Sequence, residues 1–397
     1  MNAESVVTVA VVGVEFGWGS AGLLDTLVRR IREKTTRPMR FVGMSSGLGR
    51  PLLRDSGIER WYELSEDDPK SYAEVARAEG ISAALSVLDA PAAKALEAVG
   101  VPTVFVDALP FLWTSGDTDW LPADVSVYCA QRCPELPEEA RELFTRVEGL
   151  HWVGAVVPDG SLGSATPVES AEAGRALVVL GGLRSPQLDD VTIYPRLVVP
   201  PVLRALRSHG FDSVHVCGNL PDELVKQFAD LHGQGLRVTA GPFGRGEFGR
   251  ALRQSEMVLT QPGLMTLLEA GTAGAPLVRL PPQNVAGIFQ ARFHRDTVAD
   301  GIGVPWPEFV VSEFAAVAAR ADGELAANEV VYGGIARGLD HLDEVHRLLV
   351  ERTEDAISQT RRTPPDAWPG LVRAVGTDGA DEVAEHLFKL IDRGGKT

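Results

Sequence analysis

Residues 258–293 read VLTQPGLMTLLEAGTAGAPLVRLPPQNVAGIFQARF, and they hold the most specific pattern in the chain. An apolar strand is followed by Gly263, where a helix begins, and the bare backbone of a glycine lets phosphate oxygens approach the helix N-terminus. Thr266 lies one turn into this helix. Glu269 follows three residues later on the same face, where a carboxylate can accept hydrogen bonds from both hydroxyls of a ribose. The alternative for Glu269 is an ordinary solvated glutamate. Gly274 indicates a helix stop before the next strand.

Strand-like and helical runs alternate on both sides of this stretch, from one end of the chain to the other. Such a rhythm is typical of parallel β-sheets covered by helices. The predicted strands cover residues 6–15, 40–44, 83–88, 103–107, 176–180, 213–217, 236–239, 257–259 and 276–280. The predicted helices cover residues 23–33, 71–79, 92–99, 196–208, 339–354 and 380–392.

A stretch rich in Gly, Ser and Pro interrupts the rhythm at residues 158–167 and has no hydrophobic period, as expected of a linker. We therefore predict two tandem α/β domains, residues 1–157 and 174–360, joined by a linker at 158–173. A Pro-rich break then opens a tail, residues 361–397, that ends in a helix. The cleft at the carboxyl ends of the strands is the expected ligand site.

Composition limits the partners. The chain has 397 residues, of which 45% are hydrophobic, and a formal charge of −16. This balance indicates folded domains and disfavours binding to nucleic acid or to anionic membranes. No apolar run approaches the roughly 20 residues of a membrane span, and no secretory signal is recognisable. With three cysteines, we expect a cytoplasmic protein without disulfides.

The first strand leads into a second glycine motif, GWGSAG at residues 17–22. It matches the dinucleotide pattern G-x-G-x-x-G, but the second predicted strand ends without the acidic residue that binds a ribose. Arg50 could serve an NADP site instead, and Trp18 is bulky beside a pyrophosphate. A loop that lines a cleft for another ligand is favoured over a nicotinamide or flavin site, and a purely structural turn stays open.

No metal or cofactor site is predicted. Cys129 and Cys133 form one C-x₃-C pair without a second pair, and His341 and His346 are five residues apart. The chain also has no P-loop and no G-x-S-x-G nucleophile elbow.

Residues 258–293 resemble the nucleotide-binding motif of GT-B glycosyltransferases. They are similar to the lipid-linked N-acetylglucosaminyltransferase of peptidoglycan synthesis and to UDP-sugar transferases of natural-product pathways. The resemblance implies a GT-B fold: two Rossmann-like domains facing a cleft, with a C-terminal helix packed on the first domain. The residues that carry it are Gly263, Thr266, Glu269, Gly274, Pro276, Pro281 and Gln290.

The resemblance also implies which residues bind the donor. It places a glycine pair, here Gly181 and Gly182, beside the diphosphate, with Arg184 near phosphate or a sugar carboxylate. Phe243 is the candidate for stacking on the base, with core packing as the alternative, and Gln290 is expected at the sugar. The predicted donor-binding residues are Gly182, Arg184, Phe243, Gly263, Met265, Thr266, Glu269, Gln290 and Arg292.

The first half must supply the acceptor site and any catalytic base. Residues 1–150 contain no histidine, whereas the peptidoglycan enzyme has one in its first glycine-rich loop. Carboxylates follow three predicted strands, and we expect Glu15 to be the general base, with Asp107 as the second choice. Aromatic side chains would form the walls of a small site. The predicted acceptor-binding residues are Phe16, Gly17, Trp18, Gly19, Asp89, Phe111 and Trp113.

The loops at residues 13–22, 107–113 and 128–131 resemble, more narrowly, the cytosylglucuronate synthases of nucleoside-antibiotic pathways. This resemblance implies transfer of glucuronic acid from UDP-glucuronate to cytosine or hydroxymethylcytosine, with Arg184 or Arg292 binding the carboxylate. The alternatives are a UDP-hexose with another small acceptor, a UDP-sugar epimerase, an NAD(P)-dependent oxidoreductase, and a non-catalytic sugar-nucleotide-binding partner. A homodimer is compatible with the sequence.

Overall fold

The computed structural model describes residues 6–45, 47–64, 68–158, 171–231 and 235–394. The chain divides into two compact units. Unit one holds the chain up to Val157 together with the segment from Val375 onwards, and unit two holds Pro158–Ala374.

Unit one is built on a parallel sheet, which has seven strands in the described part of the chain. They are β1 (Val7–Gly13), β2 (Met39–Met44), β3 (Ile58–Tyr62), β4 (Ile81–Val87), β5 (Thr103–Asp107), β6 (Val127–Gln131) and β7 (Leu150–Val153). The spatial order is β3-β2-β1-β4-β5-β6-β7. The order therefore reverses between β1 and β4, and this reversal is where open α/β sheets bind ligands.

Unit two repeats the design with five parallel strands among its described residues. They are β8 (Glu172–Gly181), β9 (Ser213–Gly218), β10 (Arg237–Ala240), β11 (Ser255–Thr260) and β12 (Leu277–Arg279). The spatial order β10-β9-β8-β11-β12 reverses between β8 and β11. Val178, Leu180 and Leu259 lie in the core of this unit and are fully or almost fully buried. The central strands are buried because helices flank a parallel sheet on both faces.

Helices connect the strands, and several more follow β12. They are α1 (Gly19–Lys34), α2 (Arg50–Leu53), α3 (Pro69–Glu79), α4 (Ala90–Ala98), α5 (Glu138–Phe144), α6 (Ile193–Ser208), α7 (Asp222–Ala229), α8 (Arg245–Gln254), α9 (Leu264–Ala273), α10 (Val285–Thr297), α11 (Glu313–Ala318), α12 (Glu324–Arg337), α13 (Leu342–Arg362), α14 (Gly370–Val375) and α15 (Gly379–Gly394).

The prediction of two parallel α/β sheets is confirmed, but individual elements were missed. The alternation did not include β3, β6 or β7, nor the helices α11 and α12. The helix predicted at 339–354 begins at Leu342 and continues to Arg362, where Thr363 ends it. Most of the predicted linker, residues 159–170, lies outside the described residues, and β8 already begins at Glu172.

Helix α15, which belongs to unit one, is held there by charged and backbone contacts. Asp381 accepts two hydrogen bonds from Arg30, at 2.6 Å from Nε and 2.7 Å from Nη2, and also pairs with Lys34. Glu382 Oε2 accepts a hydrogen bond from the Gly154 amide at 2.6 Å. A Cβ atom on Gly379 would lie 2.0 Å from the Gly154 carbonyl oxygen, so only glycine permits this approach. The two cations beside Asp381 lower the pKa of its carboxyl to about 2.

We expect Asp381→Asn to destabilise unit one by about 1 kcal/mol at neutral pH, because a partly exposed bidentate ion pair is lost. A depressed carboxyl pKa stabilises the fold above the ordinary value of 3.8, and this contribution disappears as the pH falls towards 2. Urea unfolding of the variant and the wild type should therefore differ at about pH 7 and converge at about pH 2 and below.

The matched control is Asp392→Asn, which removes an ion pair with Arg37 whose side chains are 51% and 53% exposed. This control should change stability little. An Asp381 effect no larger than that of the control, or one that does not change with pH, would contradict the assigned role.

Candidate functional site

Four of the predicted donor residues of unit two follow its strands at their carboxyl ends. Gly182 and Arg184 follow β8, Phe243 follows β10, and Gly263 follows β11. Gln283 follows β12 and donates a hydrogen bond from Nε2 to the Leu183 carbonyl at 3.2 Å. The reversal between β8 and β11 brings the loops at Gly182 and Gly263 to the expected ligand position. Gln283 was not predicted, although it lies in the motif that carries the resemblance.

Helix α9 begins with an open N-terminus. Gly263 is its N-cap residue, with extended backbone geometry (φ −95°, ψ 133°) and no side-chain cap. A Cβ atom at this position would lie 3.0 Å from Gln261 Nε2. No side chain among the described residues caps the first amides of the helix, and such a terminus favours an anion.

Glu269 lies on this helix, one turn after the half-buried Thr266 and two turns after the N-terminus. Its side chain is half-buried, and among the described residues its carboxylate accepts no hydrogen bond. Burial raises the pKa of Glu269 to about 7, although the charge of Arg245 opposes the shift. Keeping a desolvated carboxylate without hydrogen-bond donors costs free energy in a folded protein. Such carboxylates, with shifted pKa values, are common in ligand-binding sites.

The remaining donor candidates differ in their surroundings. Gln290, on α10, is 5% exposed and its amide has no hydrogen bond to any described residue. Arg292 Nη2 lies 3.6 Å from Glu313, and the guanidinium lies 5.7 Å from the Phe289 ring centroid. Arg184 is exposed and forms no ion pair within the described residues. Of the two arginines, Arg184 is therefore the one available to a carboxylate.

Phe243 is half-buried, and its ring stacks on His215 with centroids 3.9 Å apart and an interplanar angle of 18°. His215 lies on β9 and was not predicted as a functional residue. No motif in its short, mostly apolar strand marks it, and the β9–β10 pairing, followed by the loop after β10, brings it to Phe243.

Glu15 lies at the carboxyl end of β1, beside the reversal of the first sheet. Its side chain is exposed, and Oε1 accepts a hydrogen bond from the Gly47 amide at 2.5 Å. Two non-glycine residues after neighbouring strands, Ser45 and Leu88, have φ values of 52° and 59°. In the described chain the other such residue is Leu183, after β8, with φ 58°. Backbone strain of this kind concentrates at functional sites.

The other carboxylates at strand ends are buried, whereas Glu15 is exposed. Asp107 is 2% exposed and accepts hydrogen bonds from the Leu109 amide (2.9 Å), Trp113 Nε1 (2.7 Å) and the Tyr128 hydroxyl (2.6 Å). Burial raises its pKa against these three hydrogen bonds. Asp89 is 4% exposed and caps α4 by accepting a hydrogen bond from the Ala92 amide. The geometry therefore favours Glu15 over Asp107 as the base. Asp107 and Asp89 instead form hydrogen bonds within the protein.

The aromatic residues predicted to line the acceptor site also differ in burial. Phe111 is 1% exposed and belongs to the core, which disfavours a direct contact with an acceptor. Phe16, Trp18 and Trp113 are half-buried. Trp18 Nε1 is buried and has no hydrogen-bond partner in the described part of the chain. Gly17 has φ 57°, so the turn that presents these rings favours glycine there, while Gly19 opens α1.

The described residues contain no cluster of three or more His, Cys, Asp or Glu that could hold a metal ion. No helix in the described ranges is both long and apolar enough to cross a membrane. Cys129 and Cys217 are buried, and burial raises the pKa of the half-buried Cys133 to about 12.

Comparison with known proteins identifies the fold class. No family model and no curated protein matches the chain. Solved structures match over nearly its whole length, and together with the two sheets they show that the chain has the GT-B fold.

Three of these structures illustrate the likeness. MurG of Acinetobacter baumannii is 13% identical with a TM-score of 0.52, covering 96% of this chain and 99% of its own. The S. aureus MnaA–UDP co-structure is 11% identical with a TM-score of 0.55, covering 97% of each chain. A putative UDP-N-acetylglucosamine 2-epimerase from Listeria monocytogenes is 12% identical with a TM-score of 0.52, covering 89% of this chain and 94% of its own.

We expect Glu269→Gln to change how the stability of unit two depends on pH. A carboxyl whose pKa in the folded protein is raised from 4.5 to about 7 favours the folded state at low pH. This contribution is lost as the pH rises through that interval. The free energy of unfolding of the variant, relative to that of the wild type, should therefore rise by about 1–2 kcal/mol between about pH 5 and about pH 8. This is less than the pKa shift alone would give, because solvent screens a half-buried group.

Urea-unfolding midpoints at both pH values measure this difference. Glu329→Gln, which changes an exposed glutamate on α12, is the matched control and should track the wild type. A constant offset between Glu269→Gln and the wild type at both pH values would show that Glu269 does not titrate in this interval.

Proposed function

We propose that this chain is an inverting glycosyltransferase that moves a sugar from a UDP-sugar to a small acceptor. Unit two would bind the donor and unit one the acceptor. The observation that carries the proposal is Glu269: a half-buried carboxylate without a hydrogen bond to any described residue, on a helix whose N-terminus is uncapped. A nucleoside diphosphate supplies what both features lack, namely two ribose hydroxyls for the carboxylate and a diphosphate for the amides.

The donor residues then have separate roles. Gly182 and the amides after Gly263 hold the diphosphate, whose charge grows as the sugar leaves, so these amides stabilise the transition state. Glu269 accepts hydrogen bonds from the ribose, and Phe243 stacks on the uracil. Gln290 contacts the sugar. The MnaA structure was solved with UDP, which shows a protein of the same fold holding this nucleotide.

The reaction is a single displacement. A nitrogen or oxygen of the acceptor attacks the anomeric carbon and forms the new glycosidic bond. The bond from that carbon to the β-phosphate oxygen breaks, and its electron pair leaves with UDP. Glu15 takes the proton that the acceptor loses, which is chemistry open to an exposed carboxylate.

For the substrates, we propose UDP-glucuronate and cytosine or hydroxymethylcytosine, as in nucleoside-antibiotic biosynthesis. Arg184 supports the anionic donor, because it is exposed and outside any ion pair among the described residues, and a guanidinium matches a carboxylate. The half-buried rings of Trp18 and Trp113 support a planar acceptor. A UDP-hexose with another natural-product acceptor is the alternative. A homodimer and a cytoplasmic location stay predictions.

A second candidate function is epimerisation of a UDP-sugar, favoured by the likeness to the putative Listeria monocytogenes epimerase. Calorimetry with UDP and with NAD(P) tests the nucleotide site. We expect UDP to bind and NAD(P) not to bind. Incubation of UDP-sugars with and without an acceptor separates the activities. Transfer releases UDP only when an acceptor is present, whereas an epimerase changes the sugar without any acceptor.

We expect Glu15→Gln to lower the rate of transfer by about 10²–10⁴-fold, because the amide keeps the shape of the side chain but cannot take a proton. UDP affinity should not change, since unit two binds the nucleotide. Single-turnover kinetics measure the chemical step. Glu63→Gln, at another exposed glutamate of unit one, is the control. A rate near that of the wild type in Glu15→Gln would place the base elsewhere.

We expect a mixture of UDP-glucose and UDP-glucuronate with cytosine to give the glucuronide, identified by mass. Arg184→Gln should reduce this preference by about tenfold, because a charged partner of the carboxylate is lost. If only the glucoside forms, or no cytosine conjugate at all, the proposed substrates are wrong while transfer from another UDP-sugar remains the proposal.

A further inference from the structure

His215 is held by two hydrogen bonds to the neighbouring strand and its loop. Nε2 lies 3.1 Å from the Gly241 carbonyl oxygen, and Nδ1 lies 2.8 Å from Thr239 Oγ1. A carbonyl can only accept, so Nε2 carries the proton, and in the neutral ring Nδ1 accepts from the Thr239 hydroxyl. Thr239 is the residue paired with His215 in the parallel β9–β10 register. The ring orientation is therefore fixed by strand pairing.

Burial lowers the pKa of His215, and the positive charge of Arg175 on β8 adds to this effect. The hydrogen bond to Gly241 and the charge of Glu247 on α8 oppose the shift. The net direction favours the neutral ring, whose tautomer matches both hydrogen bonds.

Phe243 contacts β9 through its ring, which stacks on His215 with the centroids 3.9 Å apart. The loop reaches this position through Gly241, whose φ is +138°, a region that other residues rarely adopt. Phe243 nevertheless stays half-buried rather than buried, so part of its ring remains open to a ligand.

We propose that His215 is a positioning residue that holds the Phe243 ring as a preformed platform for the base of the donor nucleotide. This inference rests on the proposed function and deepens it at the nucleoside end of the site. An unsupported loop aromatic would lose rotamer freedom when a base stacks on it, and this loss weakens binding. The stacked imidazole has already ordered the ring, so more of the stacking energy contributes to UDP affinity.

Calorimetry with UDP and with inorganic pyrophosphate tests the inference on the wild type, His215→Leu, Phe243→Leu and the double variant. We expect His215→Leu to weaken UDP binding by about tenfold and to leave pyrophosphate binding unchanged, because pyrophosphate has no base. The double variant should bind UDP no more weakly than Phe243→Leu, since His215 acts through that ring. His215→Phe, which keeps a ring in the stack, should restore part of the UDP affinity.

The matched control is His341→Leu, which removes an exposed histidine packed edge-on against Phe309 at 5.7 Å. It should bind UDP like the wild type. If His215→Leu does not fold, Thr239→Val removes one hydrogen bond at an exposed position and should weaken UDP binding selectively, though less. An unchanged UDP affinity, an equal loss for pyrophosphate, or additive effects in the double variant would overturn the role of His215. A wild-type protein that does not bind UDP would overturn the proposed function itself.

Discussion

Parallel strand pairing is the constraint on which the rest of this structure depends. Because every strand of a sheet runs in the same direction, each crossover starts at the carboxyl edge of the sheet, and all loops after the strands collect there. The reversal between β1 and β4 exposes the loop at Glu15, and the reversal between β8 and β11 exposes the loops at Gly182 and Gly263. The chemistry of each unit is therefore concentrated in a few short loops, while the strands beneath them are buried.

Burial and hydrogen bonding then decide which polar groups at these ends can act on a ligand. Asp89 and Asp107 are buried and hydrogen-bonded within the protein, so they stabilise loops. Glu15 is exposed, and Glu269 is desolvated without a hydrogen bond to the described residues. Carboxylates in these regions of the fold thus differ in burial and in hydrogen bonding, and with them in whether a ligand can reach them. The positive φ values of Ser45, Leu88 and Leu183 show that the backbone is strained at these strand ends.

The sequence predicted the features that local pattern determines. Buried central strands such as β5 appear as continuous apolar runs, and the turn into α9 is marked by Gly263. The edge strands β3 and β7 are only partly buried and carry charged or polar residues, so no hydrophobic run identifies them. Contacts distant in sequence could not be predicted either. The hydrogen bond from Tyr128 on β6 to Asp107 joins two strands, and the stacking of Phe243 on His215 joins the loop after β10 to β9.

Calorimetric titration of UDP and of its 2′-deoxy analogue measures whether Glu269 binds the ribose of the donor. We expect the wild-type protein to bind UDP more tightly than the analogue, which lacks one of the two hydroxyls. Glu269→Ala should weaken UDP binding by about 1–3 kcal/mol and abolish the difference between the two ligands, because the hydrogen-bonded charged partner of the hydroxyls is gone. If a folded Glu269→Ala protein binds UDP as tightly as the wild type, Glu269 does not hold the ribose.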